Sequence, residues 1–179
     1  RFAYGWFAPD ESIVNRYNAD FTVYNQAKNN EYDLLGRTIS SGFDVRFKQL
    51  GRINMNLRYN NEILLQDEDF NLLDRIHIPT GDYTTLEYSF NYQTNEGKKV
   101  QAGIGFEYGG LYDGISYGFE FEPKWNVSSN LELGGSYGVT FLEFPEFSER
   151  NIVITPETAE DIETGSEYAA HLGQLRAQY

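Results

Sequence analysis

Cysteine is absent from the 179 residues. No disulfide framework, thiolate zinc site or cysteine nucleophile is available, and the fold must rest on hydrogen bonding and packing. Basic side chains are few: 14 Lys and Arg stand against 27 Asp and Glu, a formal net charge of -13. The phosphates of nucleic acid are repelled by such a field, so nucleic-acid partners are set aside. Histidine is limited to His77 and His171, both expected in or beside long loops. Neither sits at a spacing that marks a Ser-His-carboxylate arrangement, so the reading is non-enzymatic and without cofactor. No run approaches about 18 consecutive apolar residues, which excludes a transmembrane helix but not a membrane barrel, whose strands meet lipid only at every second residue. The chain begins at Arg1 with neither an initiator Met nor a signal peptide. It is expected to be one β-barrel region, residues 1–179, cut from something longer.

What the chain has is aromatic rings and glycine. Tyr 14, Phe 13 and Trp 2 make it 16% aromatic, with Gly 17 and Pro only 5, a composition that favours strands joined by turns. From Val100 to Tyr108 the apolar residues Val100, Ala102, Ile104, Phe106 and Tyr108 alternate without error with Gln101, Gly103, Gly105 and Glu107. The next segments repeat the pattern. Ile115, Tyr117, Phe119, Phe121 and Trp125 oppose Ser116, Gly118, Glu120, Glu122 and Lys124; then Leu131, Leu133, Tyr137, Val139 and Phe141 oppose Glu132, Gly134, Ser136, Gly138 and Thr140. Upstream, Phe43–Phe47 and Ile53–Tyr59 form a hairpin signature around 49–52, and Leu86–Tyr92 reads as a further strand. With Tyr17–Tyr24 and the run ending Leu175, Ala177, Tyr179, the expectation is eight strands plus a partial one at Phe2–Phe7.

Strands of roughly 8 to 11 residues match a tilted crossing of the hydrocarbon layer better than the shorter strands of soluble sandwiches. Connections 49–52, 94–99 and 126–130 are short, whereas 25–38, 61–82 and 142–168 are long, with 109–114 as the exception. Short periplasmic turns and long outer loops at alternate strand ends characterise an outer-membrane barrel. Gln49, Glu96 and Ser128 are therefore placed inward, and Asp69 and Glu157 outward. Alternation by itself serves a soluble barrel equally well. The apolar face is assigned to lipid because its rings recur near strand ends, as in an interfacial girdle, while the polar face mixes charge with glycine. The fold expectation is an all-β, antiparallel up-and-down transmembrane β-barrel, part of a larger one, in the cell outer membrane.

Gly81 to Thr85, the strand to Tyr92, Gly97 to Lys99, the run Glu107 to Gly114, Leu131 to Leu133 and Phe144-Pro145 occur in an order that resembles a known family. The chain from about residue 30 to 179 resembles the C-terminal region of bacterial proteins carrying the domain of unknown function 5916, often preceded by a carbohydrate-binding family 9-like module. The resemblance implies an outer-membrane barrel, a location more than a function.

On the polar face the lumen-lining candidates are Asp44, Arg46, Lys48, Asn54, Asn56 and Arg58, then Gln101, Glu107, Glu120, Glu122, Lys124 and Glu132. Opposite charges on adjacent strands can pair and fill a lumen; alternatively they line a water-filled channel, basic near Arg46 and acidic near Glu120. Asp67, Glu68 and Asp69 offer oxygen ligands of the kind Ca²⁺ takes, but lack the EF-hand spacing, and an acidic loop ordinarily just solvates. The acidic residues from Glu146 to Glu167 suit bridging to lipopolysaccharide through divalent cations. The expected partners are outer-membrane lipid, lipopolysaccharide and proteins of a larger membrane complex, with the chain as a porin-like channel or a membrane platform. The rivals are a soluble carbohydrate-binding module, with aromatics gathered on one sugar-stacking patch, and an outer-membrane hydrolase.

Overall fold

The computed structural model describes residues 1–27, 34–65, 70–72, 76–128, 130–144, 153–154 and 167–178. Among them every regular element is a strand: β1 (Phe2–Phe7), β2 (Val14–Ala27), β3 (Leu34–Phe47), β4 (Arg52–Leu64), β5 (Phe70–Leu72), β6 (Ile76–Ile78), β7 (Gly81–Gln93), β8 (Val100–Leu111), β9 (Gly114–Ser128), β10 (Leu131–Glu143), β11 (Val153–Ile154) and β12 (Glu167–Gln178). Nine of them form one antiparallel sheet in the order β1-β2-β3-β4-β7-β8-β9-β10-β12. The chain is all-β and up-and-down, and the nine match the eight strands and one partial strand expected from alternation.

Two expectations need correction. Eight strands of the large sheet run 12 to 15 residues rather than roughly 8 to 11. On β2, β3, β4 and β7 the extra length lies in polar ends held by cross-strand side-chain bonds instead of apolar contrast. Arg37 Nε donates to Asn25 Oδ1 at 2.9 Å, Thr38 Oγ1 to Asn60 Oδ1 at 2.7 Å, and the Asn61 amide to Asp82 and Thr84. The 25–38 connection accordingly gives up residues to β2 and β3, which stay paired as far as Ala27 and Leu34. The connection 109–114 contracts to Tyr112-Asp113, because Leu111 pairs with Gly114. The second correction concerns 61–82 and 142–168, read as loops. They contribute β5, β6 and β11, a small sheet in the order β11-β6-β5.

Apart from bulges at strand ends, between Val14 and Arg16, Gln26 and Ala27, and Leu131 and Glu132, register carries the two faces through the large sheet with constant parity. The row Val45, Ile53, Tyr92, Ile104, Phe121, Tyr137 is apolar throughout. The neighbouring row Asp44, Asn54, Asn91, Gly105, Glu120, Gly138 is polar or glycine. On β7 and β8 burial runs opposite to that of a soluble sheet, whereas Val45 on the apolar face of β3 is buried and Glu120 and Glu122 on the polar face of β9 are exposed. Along β7, Tyr83 is buried and Thr85, Glu87 and Ser89 are half-buried, while Leu86, Tyr88 and Phe90 between them are exposed. Along β8, Gln101, Gly105 and Gly109 are buried, while Val100, Ile104, Phe106 and Tyr108 are exposed.

The largest buried cluster sits at the long-connection end. Leu64, Ile78, Tyr83 and Phe144 are buried, with Leu111, Tyr112 and Leu142 packed against them. Leu64, Tyr83, Leu111 and Leu142 occupy polar-face positions in the register. Ile78 and Phe144 come from the two longest connections. The polar face therefore ends in an apolar clasp where those connections fold back onto it.

Candidate functional site: the polar face

The polar face is built from alternate residues of β2 to β4 and β7 to β10. Each strand is long enough to bring side chains distant in sequence into one row. Asp44 is its most buried charge, 7% exposed. It accepts a hydrogen bond from Asn18 Nδ2 at 2.9 Å and is ion-paired with Arg52. Arg58 Nη1 lies 3.4 Å from Glu87 Oε2, and Lys124 Nζ lies 2.8 Å from Glu132 Oε2. The Arg58 and Lys124 pairs are substantially exposed, so solvent screens them and each adds little to stability.

Glycines on this face make room for carboxylates reaching across from the next strand. A Cβ on Gly42 would stand 2.4 Å from Asp20 Oδ1, and one on Gly105 would stand 3.2 Å from Glu120 Cβ. The acidic side chains thus lie along the sheet surface.

Of the twelve lumen candidates, Asp44, Arg46, Asn54, Asn56, Arg58, Gln101, Glu107, Glu120, Glu122, Lys124 and Glu132 share the polar face by register. Lys48 departs from the expected row. It follows the last residue of β3, and its ammonium donates to the Asp10 carbonyl, tying two turns together. Gln101 has a structural job on the same face: its Nε2 donates to the carbonyls of Glu96 at 2.6 Å and Lys98 at 3.1 Å, closing the 94–99 turn. Asn56 Oδ1 is buried without a hydrogen-bond partner.

Alternation did not reveal Arg16 and Arg52. Arg16 is directly opposite Arg46, and Arg46 is directly opposite Arg52. A β-bulge between Val14 and Arg16 leaves Asn15 as the extra residue and sets that register. Three guanidinium groups therefore start from adjacent positions of one row at the short-turn end. The acidic residues Glu87, Glu107, Glu120, Glu122 and Glu132 lie on β7 to β10, with Lys124 among them on β9, while Asp20 and Asp44 share β2 and β3 with Arg16 and Arg46.

Asp67, Glu68 and Asp69 lie outside the described residues, as do Glu146, Glu149, Glu157, Glu160, Asp161 and Glu163. Among the described residues no group of three or more His, Cys, Asp or Glu is placed to hold a metal ion. His171, expected beside a loop, stands inside β12 opposite Val139, and His77 stands in β6. Comparison with protein-family models, curated proteins and solved structures finds no match for this chain.

Proposed function

We propose that this chain forms part of a non-enzymatic β-barrel of the bacterial outer membrane. Its apolar face meets lipid and its polar face lines a water-filled passage of the porin kind. The observation that carries the reading is the inverted burial along β7 and β8. Large apolar residues of this face are exposed on most of its strands, among them Phe21, Met55, Phe90, Phe106, Phe119 and Tyr137, while β3 contributes the half-buried Phe43 and the buried Val45. So many exposed large apolar side chains on one face mark a surface that meets lipid or a partner rather than water. The greater burial of the polar side suits a sheet that curls with that side inward.

The limits of the apolar band support the same reading. From Val100 to Tyr108 it measures about 27 Å along the strand, at about 3.4 Å per residue. At the roughly 35–45° tilt of outer-membrane barrel strands this is a height of about 19 to 22 Å, somewhat less than their roughly 25 Å lipid-facing band. Beyond the band, the same face turns polar at Asn25, Arg37, Asn61 and Asp82, where the strands continue past the expected hydrocarbon edge. Exposed aromatics spread over β1, β2, β4, β7, β8, β9 and β10 rather than gathering on one sugar-binding patch.

Trp6 and Trp125, 38% and 47% exposed, lie on the apolar face, and the chain contains no other tryptophan. Reconstituted into vesicles, they are expected to lose fluorescence when the acyl chains carry bromine. A preparation soluble without detergent, with emission indifferent to brominated lipid, overturns the proposal.

A platform role for the same barrel, docking other proteins of a surface complex, is favoured by the small β11-β6-β5 sheet at the long-connection end. Lipopolysaccharide and outer-leaflet lipid are its immediate surroundings in this orientation. Co-purification of a stoichiometric protein that is lost on deleting 70–78 supports that role.

A further inference from the structure

Arg16, Arg46 and Arg52 occupy directly opposed positions on three consecutive strands. Directly opposed residues in an antiparallel pair have Cα atoms only about 4.5 to 5.5 Å apart, and like charges so placed destabilise a sheet. Guanidinium groups do not escape by losing a proton. Asp44 answers one of the three, Arg52, and its other oxygen is occupied by Asn18. Arg16 lies over the Phe7 ring, 5.6 Å from its centroid, a contact that orients the cation without neutralising it. Among the described residues no carboxylate pairs with Arg46. Beside the row opens a cleft of about 320 Å³ whose lining includes Asn15, Arg46, Lys48, Arg52 and Glu96. Glu96 is the single carboxylate of that lining. Lys48 spends one donor on Asp10 and keeps the rest of its ammonium for the cleft.

We propose that this arginine row is a binding site for the phosphate group of a small solute, held at the short-turn end of the polar face. Arg16 lies over Gly5 and the Phe7 ring, outside the cleft, so the cleft offers the Arg46 fork, which has no carboxylate partner, beside the Arg52 guanidinium that shares Asp44. The Arg46 fork can give a tetrahedral oxyanion two parallel N–H···O bonds. Lys48 adds a third cation, and the cleft accommodates the rest of the molecule. The anion supplies the negative charge that Arg46 lacks, which gives the uncompensated charge in the cleft a use. The site deepens the passage reading, since it places phosphate recognition on the face proposed to carry solute. Binding itself does not require a bilayer.

Inorganic phosphate titrated against the purified chain at constant ionic strength, with chloride as the comparison salt, tests the site by calorimetry and thermal melting. Wild type should gain melting temperature saturably with phosphate and not with chloride. Arg46→Gln should weaken phosphate binding by about tenfold, the loss of one charge-assisted fork, yet melt no lower than wild type in chloride because it relieves the repulsion. Arg37→Gln removes the same charge from the opposite face and the far end of β3, and should leave phosphate affinity unchanged. Equal responses to phosphate and chloride, or equal losses in Arg46→Gln and Arg37→Gln, overturn the site. These outcomes are read in detergent or in buffer, so they stand apart from the vesicle result that decides the membrane reading.

Discussion

Tyr112 holds a backbone φ of 55° at the first position of the two-residue turn between β8 and β9. Glycine normally fills such a position, and a bulky residue there costs on the order of 1 to 3 kcal/mol. The offset is packing. The ring meets Tyr83 edge-on at 5.1 Å between centroids and joins the buried clasp. Burial is the first cause raising the Tyr112 phenol above its ordinary value of 10.0; the Glu62 carboxylate and Tyr83 add to it. The native state therefore keeps this proton more tightly than the unfolded chain does. The associated stability is fully present below about pH 10 and is lost as pH rises through the raised native value. Melting temperature followed from pH 9 to 12 should fall more steeply for wild type than for Tyr112→Phe, which cannot ionise. Parallel curves for the two proteins refute the assignment.

Among the elements, those with strong side-to-side contrast were legible in the sequence. β8 announces itself by faultless alternation from Val100 to Tyr108 and β9 by an alternation interrupted at Pro123, and the polar-face set follows because parity holds between the bulges at the strand ends. The ends of β2, β3 and β4 were hidden because Asn25, Arg37, Asn60 and Glu62 put polar residues on both faces. Their strand character comes from cross-strand bonds that sequence does not display. Arg52 was read as turn and Arg16 lies beside a bulge, so the row they form with Arg46 needed the actual register. β5, β6 and β11 are two or three residues long, too short for periodicity to register.

The clasp these connections build has its own test. A Cβ on Gly114 would stand 2.7 Å from both the Glu143 carbonyl oxygen and Phe144 Cδ1, whereas one on Gly97 would meet nothing within 4 Å. Gly114→Ala should destabilise by about 1 to 3 kcal/mol through overpacking, measured by denaturant titration, and Gly97→Ala by much less. Equal effects would show that Phe144 is not held against the sheet.

For the whole molecule, the question is what covers an exposed apolar surface on a chain of net charge -13. Lipid and a second protein layer predict different cost profiles along one strand. In lipid, the penalty for a cation depends on depth, about 2 to 4 kcal/mol at the bilayer midplane and about 0 to 1 near the interfaces. Against a protein layer, it follows the burial of each site. Val100, Ile104 and Tyr108 sample the band on β8 from end to middle to end, exposed by 64%, 37% and 44%. Arg substitutions at these positions, unfolded from phospholipid vesicles with guanidinium chloride, should cost most at Ile104 and little at Val100 and Tyr108. Arg in place of Glu120, on the polar face opposite Gly105 and so nearly level with Ile104, should be tolerated because it meets water there. If Ile104→Arg and Tyr108→Arg cost the same, the band has no midplane and the membrane assignment falls; a peak at Ile104 fixes both the direction of the apolar face and the level at which the sheet crosses the bilayer.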